Sequence, residues 1–424
     1  MDMEQQETLT WLQKRKYPLI SVSQGVSFDD LAPFGKMVEG AKIVGLGESW
    51  HNMHEFLEGR YRLTRYLIAS KNFRAVFFEG SLAASVELDE FVQGVSSSLK
   101  SINFGGLLNN QETVDFLEWL RAYNTDQSET EKAHIYGVDT HIFIMENAKK
   151  SSIIATQVFD YLHEVDPDYE IKDLSVIQDI FADVPIDNPR AAIAYFGTLE
   201  PSAATLIRTT FTEIADHLRK NADTFETRSS SAAHQLALQR SISIVQAHDI
   251  QCSMVQQSFE DSLDLRDRAI ADNIQAKLGL LPASTKAVFL AQTVHIARAT
   301  WQTAGSDMLI ISSGELLAER YGSQYVALTT AYGAGTLASP HPLTQTLAIA
   351  PIRADSFDAM FSRLKENTVL LDLRMRGALK KPEWFKHSHM LETMDNLGGE
   401  LEYTLPEALD LVLYVDTIQD QHSH

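Results

Sequence analysis

Short apolar runs alternate with longer amphipathic stretches over the first third of the chain. Ala41-Lys42-Ile43-Val44-Gly45-Leu46-Gly47 reads as a strand ending in glycines. Beyond it, Met53, Phe56, Leu57, Leu63, Leu67 and Ile68 recur at roughly helical spacing, the pattern of an amphipathic helix. Arg74–Glu79 predicts a second strand, Ala83–Val92 and Phe116–Tyr123 two helices, and His134–Asp139 a third strand. This β-α-β-α-β alternation predicts an α/β fold, with a central, mainly parallel or mixed sheet flanked by helices. The rhythm changes between residues 143 and 275. Helical patterns dominate there, at Ser151–His163, Ala191–Leu199, Ala204–Lys220 and Ser229–Phe259. Strand-like runs return at Lys286–Ala291, Tyr325–Thr329, Leu347–Ile352, Val369–Asp372 and Leu411–Val415. The expected organisation is an α/β domain in two parts, 1–142 and 276–424, interrupted by a helical subdomain at 143–275.

Composition narrows the function classes. The formal net charge of −21 opposes nucleic acid as a partner, because phosphate binding needs clustered Lys and Arg. Lys14-Arg15-Lys16 is too short to serve as a basic arm. No run approaches the ~18 apolar residues of a membrane span, and Met1–Thr10 is too polar for a secretory signal. A cytoplasmic protein without a membrane partner is expected. One cysteine, Cys252, excludes an internal disulfide scaffold and a four-cysteine zinc site.

Parallel sheets bind ligands outside the carboxyl ends of their strands, so the residues there are the candidates. The first strand runs into Glu48-Ser49-Trp50-His51, the second ends in Glu79-Gly80, the third in Asp139-Thr140-His141, and the next in Gln292-Thr293-Val294-His295. A carboxylate at the end of an apolar strand is costly to bury without a partner, so several together predict one shared pocket. Simpler readings compete at each position. Ser49 would cap the following helix, and Glu48 would favour its N-terminus. Glu55 and Glu58 would be solvated helix-face charges, and His134, His163 and His234 surface or satisfied core residues. His51 and Glu79 are the leading candidates, ahead of His54.

Two mechanisms fit these residue types. In one, a histidine takes a proton from water while carboxylates orient it. In the other, His51, His54, His141 and His295, with Glu48 or Glu79, hold a divalent metal that activates the water. No G-x-S-x-G elbow, phosphate loop or G-x-G-x-x-G fingerprint is present, so serine hydrolases, P-loop ATPases and Rossmann-type dinucleotide enzymes drop out.

Several separated segments, in order, resemble the erythromycin esterase family. They are Ile43–His51 with Glu55-Phe56, Arg60 and Arg65-Tyr66-Leu67; Phe73–Gly80; Trp119–Asn124; Tyr136–Asp139; Leu265-Arg266-Asp267 to Asn273; Val288–His295; and Gly314-Glu315-Leu316-Leu317 with Tyr321-Gly322. The resemblance implies a hydrolase that opens the lactone ester of macrolide antibiotics without metal or cofactor, acting on a small-molecule natural product. It implies His51 as general base, with Glu48, Glu79, Arg60 and His295 lining the same cleft, and a helical part covering that cleft. Two motifs depart from the family's pattern. Gln292-Thr293-Val294-His295 stands where the family usually has His-Asn-x-His, and Trp50-His51-Asn52 where it has Thr-His-Gly. Gln292 cannot titrate, and Trp50 alters the apolar surface beside the base. Asp139, at the end of the third strand, completes the supporting set. Two alternatives follow: a non-hydrolytic tailoring enzyme of secondary metabolism or exopolysaccharide synthesis, and a non-catalytic binder of apolar ligands.

Overall fold

The computed structural model describes residues 2–96, 99, 110–140, 148–183, 195, 197–301, 307–336, 349, 351–374, 382–387, 389–390, 402–403 and 407–420. The strands are β1 (Lys16–Pro18), β2 (Ile43–Glu48), β3 (Phe73–Ser81), β4 (His134–Asp139), β5 (Lys286–Gln292), β6 (Thr300–Trp301), β7 (Ile310–Ile311), β8 (Tyr325–Thr336), β9 (Thr368–Asp372), β10 (His389–Met390), β11 (Glu402–Tyr403) and β12 (Leu411–Gln419). Eight of them form one mixed sheet in the order β1-β9-β12-β8-β2-β5-β3-β4. The pairs from β12 through β8, β2, β5 and β3 are parallel, whereas β9 runs antiparallel to both β12 and β1. The expected α/β sheet is present. Its antiparallel edge includes β1, too short and too interrupted by charge to show in the apolar pattern.

Leu347, Ala348 and Ala350 of the strand expected at 347–352 lie outside the described residues, and Ile349, Pro351 and Ile352 belong to no strand. Most of the helix expected at 191–199 also lies outside them, as does His141. Among the described residues no helix is long and apolar enough to cross a membrane.

The chain divides into two compact units, Met1–Glu79 with Val86–Tyr136 and Ala271–His424, and Gly80–Ser85 with Gly137–Ile270. The first contains α1 (Met3–Gln13), α2 (Ala32–Met37), α3 (His54–Lys71), most of α4 (Leu82–Val92), and α5 (Gln111–Thr125). Its core joins β2, β3, β5, β8 and β12 to α3 and α5 through Leu46, Phe56, Leu67, Val76, Phe116, Val288 and Leu413. The second unit is helical: α6 (Ala148–Val165), α7 (Leu174–Ala182), α8 (Pro201–Lys220), α9 (Ala222–Arg228), α10 (Ser231–Gln256) and most of α11 (Phe259–Leu280). Phe159, Phe181, Phe211, Ile214 and Phe225 build its separate core.

Helix α3 corrects one expectation. It is buried on nearly every side from Phe56 to Ile68, so its polar residues need partners. Glu58 is no solvated charge: it accepts from the Gln24 backbone N–H at 3.0 Å and from Gln24 Nε2 at 2.5 Å. Arg62 pairs with Asp30, and Arg65 donates to the carbonyls of Gln24 and Asp115 at 3.0 and 2.7 Å.

Candidate active site

β5 slots between β2 and β3, which sets three strand ends side by side. Glu48 is in register with Gln292 across the β2–β5 pair, and Glu79 stands near the end of the neighbouring β3. All six residues of β2 are buried, so Glu48 needs its charge compensated. His51 Nδ1 lies 2.6 Å from Glu48 Oε1, and Arg60 Nη1 lies 2.5 Å from Glu48 Oε2. The second contact is an ion pair rather than a well-aligned hydrogen bond. Burial opposes charge on Glu48, but the Arg60 guanidinium and the His51 hydrogen bond outweigh it and hold the carboxyl below its ordinary range.

Glu79 is anchored from β5. Its Oε2 accepts the Gln292 backbone N–H at 2.8 Å, and His295 Nε2 lies 3.4 Å from Oε1. His295 is buried on the four-residue helix α12 (Thr293–Ile296), which is pinned at its C-terminal end. Tyr325 Oη donates to the Ile296 carbonyl at 2.7 Å, and the Ser312 hydroxyl donates to that of Ala297. Helix α13 (Ser313–Tyr321) begins against the same carbonyls. A Cβ at Gly314 would fall 2.1 Å from the Ile296 oxygen, so only glycine permits this approach.

Glu48, His51, Arg60 and Glu79 line one cavity of about 50 Å³, with Tyr61, Thr113 and apolar side chains such as Phe78, Phe116 and Leu290. Tyr61 Oη and Thr113 Oγ1 are 2.8 Å apart. Burial pushes the Tyr61 phenol up, which keeps it protonated and able to donate. At ~10–15 Å³ per water, the cavity holds a few waters and no large molecule.

The structure sorts the remaining candidates. Gln292 contributes its backbone N–H, a group any residue but proline supplies. Trp50 is buried in the apolar core and is not among the cavity's lining residues. Asp139 is fully buried in the second unit, where Arg266 Nε and Nη2 meet its Oδ2 at 3.0 and 2.5 Å. Ser49 caps no helix, since α3 begins at His54; its N–H donates to Thr330 Oγ1 at 2.8 Å. His51 therefore precedes α3 and shares no helix face with His54, whose Nδ1 lies 2.5 Å from Glu112 Oε1. Of the other histidines, His134 pairs with Asp89, His163 is exposed, and His234 is buried beside Tyr161. Among the described residues, no three His, Cys, Asp or Glu side chains converge as metal ligands.

The erythromycin esterase family model matches residues 68–418. The chain belongs to the erythromycin esterase family. The matched span takes in Glu79, Gln292 and His295 and begins beyond Glu48, His51 and Arg60. Erythromycin esterase type I of Escherichia coli is 23% identical over 314 residues, covering 72% of this chain and 74% of that protein. The type II enzyme of the same organism is 26% identical over 133 residues, 30% of each chain. Among solved structures, a Bacillus cereus protein superimposes with a TM-score of 0.82 at 20% identity, over 99% of both chains. A succinoglycan biosynthesis protein gives 0.79 at 20% identity over 100% of both. An erythromycin esterase mutant in its open conformation gives 0.76 at 19%, over 96% of this chain and 98% of that one. At these identities the structural matches show a shared fold. Family membership supports a hydrolase of the esterase kind.

Asn52, next to His51 in the turn before α3, is a residue that sequence reasoning named only as a departure from the family pattern and gave no role. Its φ is +62°, a region that glycine and asparagine tolerate best. The side chain is buried, and among the described residues neither Nδ2 nor Oδ1 has a hydrogen-bond partner. The turn immediately before α3 was the available signal. Asn52→Gly is expected to match or exceed the parent in stability, because it removes two unpaired buried polar atoms. Asn52→Ala is expected to fall below Asn52→Gly by about 1–2 kcal/mol, the cost of a left-handed residue with a Cβ. Urea unfolding of the two variants measures the difference, and equal stabilities would contradict the assignment of strain.

Proposed function

We propose that this chain hydrolyses an ester or lactone in a sizeable, largely apolar natural product, with His51 as the general base. The observation that carries the reading is the 2.6 Å contact between His51 Nδ1 and a buried Glu48 that Arg60 keeps ionised. With Nδ1–H donated to Glu48, the neutral imidazole has its lone pair on Nε2, the atom that takes a proton from water. The hydroxide so formed attacks the ester carbonyl, and the proton passes to the departing alkoxide. Products are one acid and one alcohol, with one water consumed. Glu48 stabilises the transient imidazolium, as a buried carboxylate does behind other catalytic histidines. Glu79, on the same cavity wall, holds the β5 end and orients the water. The cavity's small volume suits that water and the reacting carbonyl; the apolar bulk of the substrate lies beyond it.

The competing reading is a non-hydrolytic tailoring step, favoured by Gln292 where the family carries a titratable histidine. Product masses separate the two. Incubation with a panel of macrolides and simpler lactones is expected to yield at least one product heavier by one water. A product of any other mass would support tailoring instead, and no turnover of any macrolide would eliminate the macrolide version.

A further inference from the structure

The chain carries a second concavity, of about 430 Å³, lined by Lys14, Arg15, Tyr17, Pro33, Lys36, Met37 and Asp372. Small-molecule pockets typically measure ~300–1,000 Å³. The short basic run Lys14-Arg15-Lys16, too brief alone to attract a polyanion, is completed here by residues far away in sequence. Lys16 turns away to pair with Glu366, while Lys14 and Arg15 face the concavity and α2 contributes Lys36.

The base of this site is prebuilt. Arg15 is buried, lies over the Trp11 ring at 4.2 Å, and donates through Nη1 to the Arg374 carbonyl at 2.6 Å. Asp372 is the one carboxylate among the described lining residues, and Arg374 occupies it. Nε meets Oδ1 at 2.9 Å, Nη2 meets Oδ2 at 3.0 Å, and the Arg374 N–H meets Oδ1 at 3.1 Å. Arg374 Nη1 also donates to the Met37 carbonyl at 2.6 Å, tying α2 to β9. Above this base stand two exposed lysines whose ammonium groups make no ion pair or hydrogen bond among the described residues. The Tyr17 ring, 37% exposed, and Pro33 supply a flat apolar wall.

Three cations against a single, already satisfied carboxylate is an unusual surface on a chain of net charge −21. A small dianion gains Coulomb attraction from each, and lysines act as point charges toward phosphate. We propose that this concavity binds a small phosphate ester with a flat apolar body, of mononucleotide size. The phosphate lies between Lys14 and Lys36, and the body rests on Tyr17 and Pro33.

Titration calorimetry on the full chain tests this with adenosine monophosphate, inorganic phosphate and adenosine. Adenosine monophosphate is expected to bind once per chain, tighter than inorganic phosphate, and more weakly as salt rises. Lys14→Glu/Lys36→Glu is expected to weaken it by about tenfold or more, since two exposed ion contacts are together worth roughly 1–2 kcal/mol. Tyr17→Ala should weaken adenosine monophosphate but not inorganic phosphate. Circular dichroism confirms folding, and ester turnover stays at the parent level, because none of these residues belongs to the cavity around His51. Adenosine binding as tightly as the monophosphate would overturn the proposal. So would an unchanged affinity in the double lysine variant, or no saturable binding at low salt.

Discussion

His51→Ala is expected to lower kcat/KM by roughly 10²- to 10⁴-fold, the usual contribution of a positioned general base. Glu48 keeps its ion pair with Arg60 in that variant, so the chain should still fold. His51→Gln, which restores a hydrogen-bond donor to Glu48 without a base, should be as inactive and more stable. His54→Ala is the matched control. Its partner Glu112 lies on α5, and neither residue is among those lining the cavity around His51, so turnover should stay near normal. The cost there is in stability. The Glu112 hydrogen bond raises the His54 pKa against the opposing effect of burial. That stabilisation is fully present below the unfolded histidine pKa, about 6.5, and is lost as pH rises through the raised folded value. Unfolding of His54→Ala at pH 6 and pH 8.5 should therefore show the larger deficit at pH 6. A folded His54→Ala enzyme without activity, or a His51→Ala enzyme with near-normal kcat/KM, would mean that the other histidine is the base.

Arg60→Met is expected to destabilise the fold by about 3–5 kcal/mol, the scale on which breaking a buried ion pair leaves an uncompensated charge. Arg60 and Glu48 are both buried, and Arg60 is the strongest influence opposing burial at Glu48. A carboxyl with a depressed folded pKa contributes stability above its unfolded pKa and loses it as pH falls through the folded value. Without Arg60, burial of Glu48 is opposed chiefly by His51, and its pKa rises. The deficit of Arg60→Met should be largest near neutral pH and should narrow toward pH 5. kcat/KM should fall as well, because without Arg60 the buried Glu48 is more easily protonated, and a protonated Glu48 no longer stabilises the transient imidazolium. Urea unfolding at the two pH values, with kcat/KM profiles beside it, measures both effects. A deficit under about 1 kcal/mol at neutral pH, or one that does not change with pH, would show that Arg60 does not hold this charge.

What sequence alone determined is local. Runs such as Ile43–Leu46, Ala75–Phe78 and Val288–Leu290 are strands because both faces of a central sheet are covered, leaving no position for a charge. The first polar groups after those runs, Glu48, Glu79 and Gln292, therefore mark strand ends without knowledge of the fold. Net charge and the missing phosphate-loop motifs excluded whole classes for equally local reasons. Partnership was decided only in three dimensions, because apolar strands of similar length are interchangeable in a sheet order. Nothing in the pattern of β5 says that it lies between β2 and β3, yet that placement brings the Gln292 N–H to Glu79. Glu58 looks like a solvated helix charge in sequence, since a helical period cannot show that neighbours cover the polar face too. Gln24, distant along the chain, is what satisfies its buried carboxylate. The same holds for Lys14 and Lys36: each is an ordinary surface lysine until the fold sets them around one concavity.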